Sequence, residues 1–331
     1  MNQIDTASPT PTGSPPTDTT LPGLFEAQVA RTPCAPAVAG PDGMVSYAEL
    51  NEGANRLARY LVAVHRVGPE DVVGLAVPRS TTAITALLAV SKAGAAYLPL
   101  DTAHPARRTS AVLESIAPRL LLTTREQAEA LPRTGTRRIL VDELTCAGWS
   151  AADPTDGDRT APLRPEHPAR LLPTPDPTGT PEGVVTTHAG LVGPAANLEP
   201  RFALDGTSRV LQLASTSLDA ASTELLMAFA CGGTLVLPPP GPLAGEELAR
   251  TLTDHRVSHA LIPPATLATL PHDDFPHLRT LVVGGEACPA ELTTRWSPGR
   301  RMIDTYARAY PSDEGVCPAP PGAVGRTRNR G

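Results

Sequence analysis

Lysine is almost absent from this chain of 331 residues. Lys92 is the single lysine among 28 basic residues, and the other 27 are arginines. Any reaction step that needs a mobile ammonium group is therefore confined to Lys92. Aromatic residues account for only 3% of the sequence. No apolar run approaches the ~20 residues that a membrane-spanning helix needs, so we expect no membrane-embedded part.

Cysteine is also scarce. The five cysteines are scattered singly and form no CxxC pair, which argues against a zinc site and against a disulfide framework. The net charge of −6 argues against nonspecific binding to nucleic acid. Because the N-terminus lacks the basic and apolar regions of a secretory signal, we expect a cytoplasmic protein.

Proline, by contrast, is abundant at the N-terminus. Residues 1–22 are rich in Pro, Thr and Ser without periodic apolar residues, which predicts a disordered leader before a folded core over 23–331. In that core, Ser46 and Glu49 form a capping-box signature for the start of a helix. The apolar residues of that helix fall on one face, at Tyr47, Leu50, Ala54, Leu57, Ala58 and Leu61.

Short apolar runs alternate with helical segments along the rest of the chain. A helix is predicted over 81–92, and strands are predicted at 72–77, 95–100, 119–124, 169–172, 184–187 and within 209–215, 233–239, 259–264 and 279–287. This alternation is typical of βαβ units with parallel sheet. A loop-rich stretch over 147–167 interrupts it, so the pattern predicts either two α/β lobes or one wide sheet.

His255 and His259 lie four residues apart and would share a helix face, as two metal ligands do. Arg256 follows the first histidine, where a zinc protease motif has glutamate, and no third ligand is apparent. We therefore interpret the pair as an ordinary boundary between a helix and a strand.

A turn rich in Thr and Gly joins two of the predicted strands and reads TPDPTGTPEGV, from Thr174 to Val184. Phosphate-binding loops use backbone N–H groups, flexible glycines, hydroxyls and a cation. This turn has glycines and hydroxyls, but it also contains three prolines and two acidic residues. The turn has the position of a phosphate loop, but it lacks much of the chemistry by which such loops bind phosphate.

Six segments, in a fixed order between Leu24 and Arg326, resemble the adenylate-forming enzymes. The resemblance is greatest to the amino-acid adenylation domains of nonribosomal peptide synthetases. The segments read VSYAELNEGANRLARYL, SKAGAAYLPLDTAHPARR, EGVVTTHAGLV, STSLDAASTELLMAFACGGTLVLP, LRTLVVGGEACPAEL and PPGAVGR. The resemblance implies two α/β lobes with mainly parallel sheets flanked by helices. It also implies a reaction in which ATP and magnesium activate an amino acid as an aminoacyl-adenylate.

The phosphate loop of that family reads roughly Thr-Ser-Gly-Ser/Thr-Thr-Gly-x-Pro-Lys-Gly. The resemblance assigns nucleotide contacts to Thr174, Thr178, Gly179 and Gly183, and a further one to Gly285. Four other loop positions differ from the family pattern, namely Pro175, Asp176, Pro177 and Glu182.

The physical consequence of these four residues follows from their chemistry. Pro175 and Pro177 each lack an N–H donor and fix φ near about −65°. Asp176 replaces a flexible glycine and Glu182 replaces a cation, so both bring negative charge towards phosphate. One pair of unit charges at ~4 Å in an effective dielectric of ~20 interacts by about 4 kcal/mol. We expect a loop that no longer binds triphosphate productively.

The substrate side of the resemblance is better preserved. Asp219 in SLDAAS matches the family aspartate that holds the α-ammonium group of the amino acid, although Leu218 and Ala221 differ from the family's aromatic residue and serine. The alternative is that Asp219 only complements the dipole of the following helix. The resemblance places five more residues along a small apolar side-chain pocket: Ala220, Thr223, Leu261, Val282 and Gly284.

The adenine-binding region, RMIDTYARAYPSDEGVC, allows two alignments with the family. In one alignment Tyr306 stacks on the base. In the other, which we favour, Tyr310 takes that role, Ser312 meets a phosphate and Asp313 holds magnesium. Either way the adenine-facing asparagine of the family is replaced, by Asp304 or by Arg308.

The chain ends at Gly331, where the β-barrel of the family would begin. We therefore expect it to lack the barrel, its ribose-binding aspartate and the C-terminal lid that carries the catalytic lysine. The first hypothesis is a truncated adenylation core that is impaired or inactive alone. The alternatives are an enzyme completed in trans by a chain that carries barrel and lid, or a scaffold without catalysis. Expected partners are an amino acid, other synthetase chains and an MbtH-like helper protein.

Overall fold

A computed structural model describes residues 19–102, 105–173, 181, 183–239, 241, 243–271 and 274–305. The helices are α1 Leu21–Arg31, α2 Tyr47–His65, α3 Thr81–Ala93, α4 Ala106–Ile116, α5 Arg125–Ala130, α6 His188–Val192, α7 Ala195–Phe202, α8 Asp219–Phe229, α9 Gly245–Asp254, α10 Pro264–Leu267 and α11 Ala290–Trp296. No helix in this described part is long and apolar enough to cross a lipid bilayer.

The strands are β1 Pro36–Gly40, β2 Gly43–Ser46, β3 Val72–Ala76, β4 Ala96–Pro99, β5 Leu120–Thr123, β6 Arg138–Leu140, β7 Pro168–Pro173, β8 Gly183–Thr187, β9 Arg209–Leu211, β10 Thr234–Val236, β11 His259–Leu261, β12 Thr280–Gly284 and β13 Arg301–Thr305. One sheet has the order β13-β12-β11-β9-β10-β1-β2, and the second has the order β6-β5-β3-β4-β7-β8. In each sheet one edge pair is antiparallel, and the other pairs are parallel. The two-lobe prediction is therefore confirmed, and the single wide sheet is wrong.

The alternation of side chains along the strands produces layers of core. On β5, Leu120 and Leu122 face the layer between the two sheets, whereas Leu121 faces the outer side with α4. On β12, Val282 faces the same middle layer. Helices α1, α2, α3 and α8 fill that middle layer, so both sheets pack on the same helices. This arrangement explains why the strands read as continuous apolar runs.

Helix α2 forms as its sequence predicts. The Ser46 hydroxyl accepts from the backbone N–H of Glu49, and a Glu49 carboxylate oxygen accepts from the Ser46 N–H at 2.8 Å. All six residues of the predicted apolar face are buried. Near the N-terminus of the described chain, α1 begins at Leu21 with Thr20 as its N-cap. The last two residues of the predicted leader therefore belong to this helix. Most of that leader lies outside the described residues.

Candidate functional site

The predicted phosphate loop lies between the two strands of an antiparallel hairpin. Strands β7 and β8 pair from Pro168–Thr187 to Pro173–Gly183, so the predicted strands on both sides of the loop are present. Of the loop positions assigned by resemblance, Thr174, Thr178 and Gly179 lie outside the described residues. Gly183 is described, at the start of β8. A Cβ atom there would approach Leu171 to 2.5 Å, so close packing within the hairpin accounts for this glycine.

Strand β7 also contributes a charged side chain that sequence reasoning missed. Arg170 is buried, and its Nη2 lies 2.5 Å from the Oδ1 of Asp219. The same guanidinium donates to the Ser222 hydroxyl at 2.7 Å and to the Thr186 hydroxyl at 3.1 Å. Three elements, β7, β8 and α8, therefore meet around one buried cation. The signal in the sequence is a single arginine within the otherwise apolar run from Ala169 to Leu172.

Asp219 occupies the first position of α8, where a carboxylate is favourable to the helix dipole. Its side chain is 62% exposed although that of Arg170 is only 6% exposed. A ligand can thus reach the carboxylate from solvent, while the guanidinium holds it from below. Both roles considered for Asp219, a ligand contact and a helix N-terminal acid, are compatible with this position.

A tyrosine lies beside this ion pair. Tyr97 on β4 pairs in register with Arg170, and its hydroxyl lies 3.2 Å from the Ser222 hydroxyl. Burial raises the pKa of Tyr97, so the phenol stays neutral and serves as a hydrogen-bonding group. An adjacent cavity between β4, α3 and α8 has a volume of about 40 Å³. It accommodates water rather than an amino-acid side chain.

The loop before α8 is fixed by a buried acid. One oxygen of Glu224 accepts from the backbone N–H groups of Leu213 and Ala214, each at 3.1 Å. Arg79 donates to the carbonyl oxygens of the same two residues. Burial raises the pKa of Glu224 to about 8, although these N–H groups and Arg79 oppose the shift. Sequence reasoning missed this anchor, which holds the segment leading to Asp219.

The residues predicted to line the side-chain pocket lie on α8, β11 and β12. Ala220 and Thr223 are half-buried on α8. Leu261 and Val282 are register partners on adjacent strands and pack in the same core cluster as α8. Gly284 ends β12, and a Cβ atom there would lie 2.1 Å from the Thr305 hydroxyl, so contact with β13 accounts for this glycine. Their function as a substrate pocket remains a prediction.

The nucleotide-facing residues are described only in part. Gly285 follows β12, is exposed and has a φ of +95°, a conformation that favours glycine. Strand β13 ends at Thr305, paired with Gly284. The remaining residues assigned by resemblance lie outside the described part of the chain, namely Tyr306, Tyr310, Ser312 and Asp313. Their roles stay predictions.

The two-sheet core, the hairpin loop and the exposed acid on α8 define a class of protein. The profile of the AMP-binding enzyme family matches residues 25–308, and the chain belongs to that family. As predicted, it is similar to adenylation domains of nonribosomal peptide synthetases. It is 45% identical over 322 residues to novobiocin biosynthesis protein H of Streptomyces niveus, covering 96% of this chain and 52% of that protein. It is 43% identical over 336 residues to CymA of Salinispora arenicola, a probable non-canonical nonribosomal peptide synthetase, covering 92% of this chain and 4% of that protein.

Solved structures agree with this placement. The nonribosomal peptide synthetase FmoA3 matches with a TM-score of 0.82 at 30% identity, over 96% of this chain and 34% of that chain. The N-terminal subdomain of Klebsiella oxytoca NpsA matches with a TM-score of 0.77 at 21% identity, over 88% of this chain and 74% of that chain. This match shows the shared fold. The chain thus spans about half of one curated relative and a small part of the other.

Proposed function

We propose that this chain is an adenylation core of nonribosomal peptide biosynthesis that keeps its carboxylic-acid side and no longer binds ATP productively. The observation that carries the proposal is the chemistry of the loop between β7 and β8. Glu182 and Asp176 supply negative charge where the family supplies a lysine and a glycine. The members of the family use ATP and magnesium, and this donor set does not fit a magnesium-bound triphosphate.

The size of the expected defect follows from the charges. Reversal of one charge near phosphate costs several kcal/mol in a partly sheltered site. Since each ~1.4 kcal/mol corresponds to tenfold, the loss is roughly a thousandfold or more in affinity or turnover. Pro175 and Pro177 remove two N–H donors in addition. The loop defect alone is enough to suppress the family reaction.

The acid-binding side rests on Asp219 and the α8 residues beside it. Asp219 is exposed at a helix N-terminus, and Ala220 and Thr223 follow on the same helix. With half-buried Leu261 they offer small, mainly apolar surfaces, whereas Val282 is only 1% exposed. We infer a ligand with an ammonium group and a modest neutral side chain, of which an amino acid is the class that the relatives suggest.

Two measurements test the loss of ATP binding. Calorimetry with magnesium ATP is expected to show no heat of binding up to millimolar nucleotide. Amino-acid-dependent exchange of labelled pyrophosphate into ATP is expected to stay at background. Saturable ATP binding, or exchange well above background from the purified chain, would overturn the proposal.

A loop variant locates the defect. Glu182→Lys combined with Asp176→Gly restores the family residue types at two positions. We expect it to gain measurable affinity for magnesium ATP. Glu126→Lys on the exposed face of α5 has the same charge change as Glu182→Lys and is expected to gain none. If both variants gain equally, general electrostatic attraction explains the effect and the loop assignment is wrong.

A second candidate is an enzyme that is completed in trans by a chain carrying barrel and lid. This chain spans 52% of novobiocin biosynthesis protein H, and the remaining part of that relative, added as a separate chain, is the reagent that tests this candidate. Pyrophosphate exchange that appears only after such a partner is added would support this candidate over an inactive core. Other synthetase chains and an MbtH-like protein are the corresponding partner candidates.

A further inference from the structure

The residues between β9 and α8 lead the chain to Asp219, and residues 213–218 of this connection belong to no helix and no strand. Leu218, at the N-cap position of α8, makes no side-chain capping bond. The connection therefore receives little direction from regular backbone hydrogen bonding. Its course, and with it the position of Asp219, depends on side chains that reach it from other elements.

Two charged side chains hold the same two peptide groups of this connection. Glu224 accepts from the backbone N–H groups of Leu213 and Ala214. One nitrogen of Arg79, Nη2, donates to the carbonyl oxygens of these two residues at 3.1 Å and 3.2 Å. Hydrogen bonds in which one partner is charged are about twice as strong as those between neutral groups. The backbone at this point is thus fixed through both its donors and its acceptors.

Part of this restraint comes from the other lobe. Arg79 lies between β3 and α3, and Asp101 follows β4, so both belong to the second sheet, whereas β9 belongs to the first. The Ser215 hydroxyl donates to the Oδ2 of Asp101 at 2.5 Å. The connection that carries Asp219 thus leaves one sheet and is held by side chains that follow two strands of the other.

Asp219 is more sensitive to this restraint than the rest of α8. Its side chain is 62% exposed at the first position of the helix, whereas Ala221, Leu225 and Leu226 are buried in the core. A displacement of the connection therefore moves the exposed first turn before it disturbs the packed part of the helix. A hydrogen bond to a ligand is lost when its partner moves by as little as about 1 Å.

We propose that Arg79 is a positioning residue of the acid-binding side. It holds the backbone at Leu213 and Ala214 so that Asp219 presents its carboxylate to a ligand ammonium group. The inference rests on the proposed function, because it concerns the same site. Arg79 acts through the backbone and has no contact of its own with the ligand.

The test measures the binding of a small cation to the full chain. Isobutylamine is the probe, because it has the ammonium group and the branched aliphatic chain of valine and needs no partner for a carboxylate. Ligand-detected NMR titration measures its dissociation constant without any need for ATP. In Arg79→Gln we expect the affinity to fall at least about fivefold, because Asp219 is displaced. Removal of a positive charge would by itself favour a cationic ligand, so a decrease reports the loss of position.

Amide hydrogen exchange reports the position of the backbone directly. In Arg79→Gln we expect exchange of the Leu213 and Ala214 amides to become at least about tenfold faster. Arg79→Lys keeps a cation that can replace the single nitrogen of Arg79 at both carbonyl oxygens. This conservative variant is expected to recover most of the affinity and most of the protection from exchange.

A second buried arginine is the matched control for a general loss of stability. The side chain of Arg159 is 8% exposed, and its Nε donates to the carbonyl oxygen of Lys92 at 2.8 Å, near the opposite end of α3 from Arg79. Arg159→Gln is expected to lower the melting temperature and to leave the affinity for isobutylamine unchanged. Ser215→Ala removes the other contact with the second lobe, and we expect it to weaken binding at least about twofold.

The outcomes separate this inference from the proposed function. An unchanged or higher affinity in folded Arg79→Gln would overturn the inference and leave the proposed function intact. An equal decrease in Arg159→Gln would also overturn it, because general destabilisation would then explain both results. If Arg79→Gln does not fold, unchanged affinity in Ser215→Ala overturns the inference. If isobutylamine does not bind to the wild type, the acid-binding side of the proposed function fails, and the inference fails with it.

Discussion

The Nζ atom of Lys92 lies 3.1 Å from the Oδ1 atom of Asp153, and the lysine side chain is fully buried. Lys92 also pairs with Glu26 on α1, so the ammonium is enclosed by two acids. Asn51 and Asn55 on α2 donate to the same oxygen of Asp153. The chain's only lysine therefore ties α1, α2 and α3 to the loop-rich stretch over 147–167. It is not available as a mobile catalytic ammonium.

Removal of the Asp153 carboxylate is expected to destabilise the protein. Asp153→Ala leaves a buried ammonium with one acid, removes the acceptor of Asn51 and removes one of the two acceptors of Asn55. Because the Asp153 side chain is 46% exposed, we expect about 2 kcal/mol rather than the larger cost of a fully buried pair. Chemical denaturation measures the free energy of unfolding. Glu52→Ala breaks only an exposed pair with Arg56 and is the control, with an expected change within about 0.5 kcal/mol. Equal effects of both changes would contradict the structural role of Lys92.

Stability is expected to fall as pH rises towards mild alkali because of Glu224. The pKa of Glu224 is about 8 in the folded protein, above its ordinary value of 4.5. Between these values the folded state binds a proton that the unfolded state has released, so the free energy of unfolding decreases with increasing pH. Glu224→Gln removes this proton and is expected to flatten the slope across that range. Urea titrations at stepped pH measure it, and Glu246→Gln on the surface of α9 is the control. A Glu224→Gln profile parallel to the wild type would refute the assignment.

Because of His188, we expect the stability of the protein to decrease as the pH falls below neutral. Its Nδ1 accepts from the backbone N–H of Leu21 at 3.2 Å, and burial lowers the pKa of His188 to about 4. The unfolded state binds a proton near the ordinary value of 6.5, so stability declines as pH falls between these two values. His188→Asn keeps an acceptor for Leu21 without a titrating ring, and we expect a shallower decline. NMR titration of the ring proton checks the pKa directly, and a midpoint near 6.5 would show that the ring is not held neutral.

The hairpin that frames the phosphate loop is expected to tolerate no side chain at Gly183. In Gly183→Ala the added Cβ meets Leu171 at 2.5 Å, so we expect a cost of about 1–3 kcal/mol. The double variant with Leu171→Ala relieves this contact and should cost less than the sum of the two single changes. Gly135→Ala is the control, because a Cβ there meets no atom within 4 Å. Thermal melting compares these four variants with the wild type, and strict additivity would contradict the packing explanation.

The sequence predicts those elements whose signals are local. The capping box at Ser46 and Glu49 and the apolar face of α2 depend on residues within a few turns, and the structure has both. The strand predicted within the run 209–215 is β9, and it ends at Leu211. It stops there because Leu213 and Ala214 belong to the loop that is held by Glu224. Local periodicity does not report such an anchor.

The candidate site is harder to predict because its contacts join distant parts of the chain. Asp219 is found through its motif at the start of helix α8, but its partner Arg170 lies on strand β7. Nothing near Arg170 in the sequence names the acid that it meets. The same is true of Lys92, whose two acids precede and follow it by long stretches. Only the fold reveals which charges neutralise each other.

Strand β8 forms the outer edge of its sheet and, among the described strands, pairs with β7 alone, so the connection between β7 and β8 joins that sheet at an edge pair. Connections between strands tolerate substitution better than the strands that they join. The residues that handle a ligand in such a connection can therefore change while the strands that build the core are conserved by the requirement to fold.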